Sequence, residues 1–142
     1  MSLSDRDIEF LQDHHSAAMI TVTPAGVAKA ARVGVAVVDG KLWSSGTADR
    51  VRTKRLGKDP RSTLFVFDQG FAWLTLETTV TILDGPDVPQ QTLRMMRQVQ
   101  GKPTGPLSWF GGDLSEDDFL RTMVDEGRVI YEFDVHRAYG MH

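Results

Sequence analysis

Six basic residues fall within twelve positions of this chain: Arg50, Arg52, Lys54, Arg55, Lys58 and Arg61. The whole chain holds sixteen Lys and Arg and has a net charge of −3, so its positive charge is concentrated here. The segment follows a strand pattern, Lys41-Leu42-Trp43-Ser44-Ser45, and reads as a short helix with Asp49 as its N-cap. A helix start offers unpaired N–H groups and a positive dipole end, and guanidinium forks add bidentate hydrogen bonds. That is chemistry for holding a phosphate. On spacing alone, a solvated basic helix face stands equal to it. Arg50 and Lys54, four apart, share a helix face, whereas Arg52 joins them only from the turn before the helix. Arg55, Lys58 and Arg61 are better suited to the surface or to pairing with Asp59.

Little else in the chain suggests side-chain catalysis. There are no cysteines, which removes thiolate nucleophiles, disulfides and cysteine-based metal sites. His14, His15, His136 and His142 match no metal-ligand spacing. His14 and His15 read as the end of a first helix, where imidazolium suits the dipole. No serine, histidine and aspartate triad has a supporting context. No catalytic side chain and no metal site is expected, and the histidines read as lying away from the basic segment. Such a chain fits a cofactor that carries the chemistry while the protein supplies position and electrostatics, with solvent as proton donor. Trp109 and Phe110 stand out in a Gly- and Pro-rich stretch. Adjacent aromatics do not both point inward easily, and loops often carry recognition. The pair reads either as a substrate lid over a planar ring or as a small apolar cluster under the loop.

Regular patterns surround these residues. Ser4 to Leu11 reads as a capped amphipathic helix with Ile8 and Leu11 on one face. Ala17 to Thr23 and Val27 to Val38 read as strands, and Asp39-Gly40 is a hairpin signal into Lys41 to Ser45. Thr63 to Phe67, Phe71 to Leu83 and Arg128 to Val135 are further strands; Gln90 to Gln100 and Ser115 to about Glu126 are helices, and Gly101 to Gly112 is a loop. Six or seven mostly antiparallel strands with three or four helices make a small α+β barrel, a single domain over residues 1–142. Met1 to Asp13 is polar and acidic, unlike a secretory leader, and no apolar run reaches the roughly 18 residues of a membrane span. The expectation is a cytoplasmic protein with neither membrane nor nucleic acid as partner.

Three patches carry a family resemblance: Arg50-Val51-Arg52-Thr53-Lys54 through Asp59-Pro60-Arg61, then Trp73-Leu74-Thr75-Leu76-Glu77, then Arg128-Val129-Ile130 to His136-Arg137-Ala138-Tyr139-Gly140. In order and type they resemble the pyridoxamine-phosphate-oxidase-like split β-barrel family, and within it the actinobacterial branch that uses the deazaflavin coenzyme F-420. The resemblance implies a homodimer with cofactor sites at the subunit interface. It implies that Arg50, Arg52, Thr53 and Lys54 bind the cofactor's phosphate region. Arg32 and Val33, with Ser44, Ser45 and Gly46, would lie along the tricyclic ring, and Trp73 is either core or a wall of the cofactor site. FMN oxidases of the family tend to carry a glutamine near the position of Trp73, and its absence tilts the choice from FMN to F-420. The family also usually has glycine after the strand glutamate, where Thr78 follows Glu77. The expected activity is hydride transfer from reduced F-420 to a small conjugated acceptor. The alternatives are an FMN-dependent oxidase or reductase and a non-catalytic flavin or deazaflavin carrier.

Overall fold

Among the described residues, four helices and nine strands form in the order α1 (Asp5–Asp13), β1 (Ser16–Val22), β2 (Ala28–Gly34), β3 (Ala36–Val38), β4 (Lys41–Thr47), α2 (Val51–Lys58), β5 (Arg61–Phe67), β6 (Trp73–Leu83), α3 (Val88–Gln100), β7 (Leu107–Trp109), β8 (Gly112–Leu114), α4 (Glu116–Asp125) and β9 (Arg128–Met141). The computed structural model describes residues 3–142. Helix α1 starts as its sequence requires, with a capping box. The Ser4 hydroxyl accepts from the Asp7 N–H, and the Asp7 carboxylate accepts from the Ser4 N–H, both at 3.1 Å.

Seven strands make one antiparallel sheet in the order β2-β1-β5-β6-β9-β4-β3. Strands β2 and β3 occupy its two edges, yet only Val35 separates them in the chain. The sheet must therefore curl until its edges meet, which makes it a barrel. The expected single strand from Val27 to Val38 divides at this junction because its first half pairs with β1 and its second with β4. His15 fastens the closure. Its carbonyl accepts from the Val35 N–H at 2.7 Å, and its Nδ1 lies 2.9 Å from the Val35 carbonyl.

Alternation fills the interior. Met19, Leu64, Leu76 and Ala138 form one cross-strand row; the first three are fully buried, each contributing about 1.5–3 kcal/mol by transfer from water. Leu11 of α1 and Leu56 of α2 close the same core. The register of β6 on β9 slips between Glu77 and Thr78, which leaves His136 as the extra residue of a β-bulge. That is the place where a threonine follows the strand glutamate. Between β6 and β9, α3 and α4 pack around Leu93, Phe119 and Met123 as a separate small cluster. The stretch expected as a loop from Gly101 to Gly112 instead turns into the β7–β8 hairpin. Trp109 pairs with Gly112, and Phe110 and Gly111, at φ of 46° and 86°, form the two-residue turn.

Candidate functional site

Helix α2 begins without a side-chain cap. Its N-cap is Arg50, one residue later than the sequence suggests, because Asp49 is engaged elsewhere. The Thr47 hydroxyl donates to Asp49 at 2.8 Å and holds its carboxyl below the usual range. Arg50 Nε in turn donates to the Thr47 oxygen at 3.2 Å. The first N–H groups of α2 therefore have neither an intrahelical partner nor a cap, and Arg50 and Lys54 stand exposed beside them. Arg52 is half-buried with its guanidinium carbon 5.7 Å from the centre of the Tyr131 ring. Its Nε is buried without a partner, and so are the hydroxyls of Ser44 and Ser45 on β4.

Two residues of this end are already committed to the fold. The Thr53 hydroxyl donates to the Thr47 carbonyl at 2.6 Å. Its single proton is thereby used, so Tyr131 is the donor in the buried bond between the two hydroxyls. Gly46 leaves the space that the Tyr131 phenol fills, and a Cβ there would collide with that ring. Across the β4–β9 ladder, Arg128 sits opposite Thr47. Its side chain is only 7% exposed, ion-paired to Glu126 at 2.8 Å and stacked 4.8 Å from the Trp109 ring. Glu126 also accepts from the Trp109 indole at 3.2 Å. Phe110, 80% exposed, stands at the tip of this hairpin, 5.8 Å from the Arg128 guanidinium.

A second region lies toward the other end of β1. A cleft of about 930 Å³ is floored by small residues of β1 and β2, among them Ala18 and Ala30, and edged by His14, His15, Arg32 and Asp68. Arg55 ties α2 to Thr21, at 2.8 Å, whereas the cleft opens at Ser16 to Ala18. The two regions are thus separated along β1 by roughly 10–15 Å at the strand rise of about 3.3 Å per residue. A smaller cleft of about 490 Å³, beside β5, is lined in part by Ser62, whose buried hydroxyl also lacks a partner among the described residues.

Sequence comparison matches the chain to no family model and to no curated protein. Solved structures match it over nearly its whole length. A conserved hypothetical protein of Mycobacterium tuberculosis superposes with a TM-score of 0.72 at 21% identity, covering 99% of this chain and 86% of that one. An F-420 reductase gives 0.69 at 15% identity, with 96% and 98% covered. A pyridoxamine 5'-phosphate oxidase-like protein of Listeria innocua gives 0.66 at 12%, with 96% and 95% covered. The fold is the split β-barrel of the pyridoxamine-phosphate-oxidase-like proteins.

In this split barrel, the residues singled out in the sequence fall into two groups. Ser44, Ser45, Gly46, Arg50, Arg52, Thr53 and Lys54 gather at the start of α2 and the neighbouring stretch of β4. Arg32 belongs to the cleft, where its guanidinium donates to the Ser16 hydroxyl at 3.2 Å. Trp73 goes with it, cross-strand from the cleft residue Phe67, and is half-buried on the outer sheet face. Val33 turns its side chain into the core and offers a ligand only backbone. Thr53 likewise offers only its N–H. Trp109 and Phe110 adjoin the basic start of α2 through Arg128, a contact the sequence did not announce. Arg128 and Tyr131 lie inside the third resembling patch, but only the β4–β9 register shows that they back Thr47 and Ser44. His14 and His15, read as remote from the site, share the cleft with Arg32.

Proposed function

We propose that this split barrel is a homodimeric oxidoreductase that binds reduced coenzyme F-420 and directs its hydride to a small, flat, conjugated acceptor. The observation that carries the reading is the uncapped start of α2, where free N–H groups, the exposed Arg50 and Lys54 and the orphaned Arg52 Nε occupy one helix start. A phosphate fits that donor set. Arg50, Arg52 and Lys54, with the N–H groups of the first turn, would hold it; Ser44 and Ser45, adjacent on β4, point to opposite faces of the sheet, so one of their orphaned hydroxyls at most would face the adjoining part of the molecule. When bound, the deazaflavin supplies the hydride. The protein's part is to anchor the anionic tail, keep the reacting ring dry and orient the acceptor, which can contribute a large share of a rate enhancement.

A second copy of the chain is the natural cover for the outer sheet face. Phe65, Phe67, Trp73, Tyr139 and Met141 lie together there, with Trp73 5.8 Å from Phe65 and 6.3 Å from Tyr139 by ring centres. Phe67, Tyr139 and Met141 are exposed. An aromatic patch of this kind marks an interface. It borders the cleft through Phe67, so a site shared between two subunits follows naturally. The cleft also favours an enzyme over a non-catalytic carrier, because a carrier needs no acceptor cavity.

Calorimetric titration of apo-protein with F-420 and with FMN tests the cofactor, and light scattering tests the dimer. F-420 should bind more tightly than FMN, to a dimer. Preference for FMN would move the assignment to an oxidase or reductase of the FMN type, and a stable monomer at micromolar concentration would remove the shared site.

A further inference from the structure

We propose that the cleft between the end of α1 and the β5–β6 turn is the acceptor pocket, and that His15 is its proton donor, a catalytic residue acting through Nε2. The assignment of the cleft as an acceptor pocket rests on the reading just given; its capacity for a flat oxyanion does not. His15 Nδ1 faces the Val35 carbonyl at 2.9 Å, and a carbonyl only accepts, so Nδ1 carries a proton whatever the charge of the ring. The exchangeable proton is therefore the one on Nε2. The Val35 N–H to His15 carbonyl bond, at 2.7 Å, locks the residue to the point where the barrel closes. His14 is held differently, by its own helix end. Its Nδ1 bonds the Phe10 carbonyl at 3.0 Å and its ring stacks 4.3 Å from Phe10.

The pocket suits a planar molecule that bears a carbonyl. Alanines make a flat, apolar floor, and about 930 Å³ exceeds the needs of a small ring. The charged and titratable groups that line the cleft with His15 are Asp13 at the end of α1, its C-cap His14, Arg32 from β2 and Asp68 from the β5–β6 turn. Arg32 supplies the positive charge for an oxyanion. When an enone takes a hydride at its β-carbon, an electron pair is displaced onto the carbonyl oxygen. That oxygen bonds the Nε2 proton to give the enol, and the N–H bonding pair stays on Nε2. The ring is left neutral, with Nδ1–H still bonded to Val35, and solvent returns the proton to Nε2. Imidazole exchanges protons near neutral pH, as this step needs.

Para-nitrophenol, a flat stand-in for the enol, tests the pocket in apo-protein by absorbance titration. His15→Asn keeps an amide N–H for Val35 but places nothing at the Nε2 position. It should weaken binding at least tenfold, while His136→Gln, outside the cleft, should leave it unchanged. With reduced F-420 and cyclohexenone, His15→Asn should lower kcat by roughly a hundredfold, with little change in KM. Failure of wild-type protein to bind the phenol overturns the proposal, as does a folded His15→Asn variant that binds it or turns over like wild type. If His15→Asn does not fold, the nitrogen-15 shift of His15 Nε2 in wild-type protein on adding the phenol decides instead: movement supports the assignment and its absence overturns it. If the phenol binds through His15 but neither cofactor binds, the cofactor reading fails and the pocket stands.

Discussion

At the Thr21 end of β1 the protein leaves polar groups waiting, and at the Ser16 end it ties them down. Helices α1 and α4 are capped by Ser4 and Ser115, whose hydroxyls accept from Asp7 and Asp118. Helix α2 has no such cap, and near it three buried polar atoms, Arg52 Nε and the hydroxyls of Ser44 and Ser45, lack partners. Each unmade bond of that kind costs about 1–3 kcal/mol. Around the cleft, by contrast, both imidazoles have Nδ1 fixed on carbonyls and Arg32 already rests on Ser16. The difference separates two tasks. An open set of donors gains most from an anion that completes it, whereas a site that must present one proton gains from a ring held still.

The largest expected effect comes from removing the waiting donors. Charge-assisted bonds to a phosphate contribute about 1.5–3 kcal/mol each, so Arg50→Ala with Arg52→Ala should weaken F-420 binding by roughly a hundredfold or more. Calorimetry on the double variant reads this directly. Wild-type affinity would erase the contrast between the two ends. Next in size is Gly46→Ala, which sets a methyl group against the Tyr131 ring. Overpacking should cost about 1–3 kcal/mol in urea unfolding. A neutral result would mean that Gly46 is there for a ligand and not for Tyr131.

The barrel was legible because its signals are local. Alternation through Leu64, Val66, Leu74 and Leu76 announces half-buried strands, and Ser4 and Ser115 announce helix starts. The site was legible only where it is continuous in sequence, as from Arg50 to Lys54. Asp49 has the sequence of a cap, but its carboxylate is taken by Thr47, which lies outside the helix pattern that suggests the role. The cleft was invisible because its edges come from three distant segments, Asp13 to Ala18, Ala30 to Arg32 and Phe67 to Gly70. No period or motif links them, and only the curl of the sheet brings them together. Arg128 reads as an ordinary strand start until the register sets it opposite Thr47.

The hairpin tip sharpens the contrast at intermediate size. Trp109 is held by Glu126, Arg128 and an edge contact to Phe119 at 5.4 Å, whereas Phe110 touches little besides Trp109. Phe110→Ala should change stability by no more than about 0.5 kcal/mol yet raise the KM for the acceptor several-fold, as expected of a lid. Trp109→Ala should lower stability as well, because it uncovers the buried Arg128 side chain and removes the indole bond to Glu126. Equal loss of stability in both would make the pair a structural cluster, the other reading of these two aromatics.

The smallest effect is predicted for Arg61, the last cation of the basic run. It already forks onto Asp59, with Nε to Oδ1 at 2.9 Å and Nη2 to Oδ2 at 2.8 Å. That hydrogen bonding brings the Asp59 carboxyl from its usual 3.8 down to about 2. A lowered folded-state pKa stabilises the protein at pH above the unfolded value, and the gain is lost as pH falls from near 4 toward 2. The pair lies at the surface, where solvent screening keeps its contribution small. Arg61→Ala should therefore leave F-420 affinity within about twofold, a shift of roughly 0.4 kcal/mol. It should also return the Asp59 titration, followed by carbon NMR of its carboxyl, to the ordinary aspartate range. A loss of affinity comparable to that of Arg50 would show that the anion site extends along the whole of α2, and that its N-terminus is not what selects the ligand.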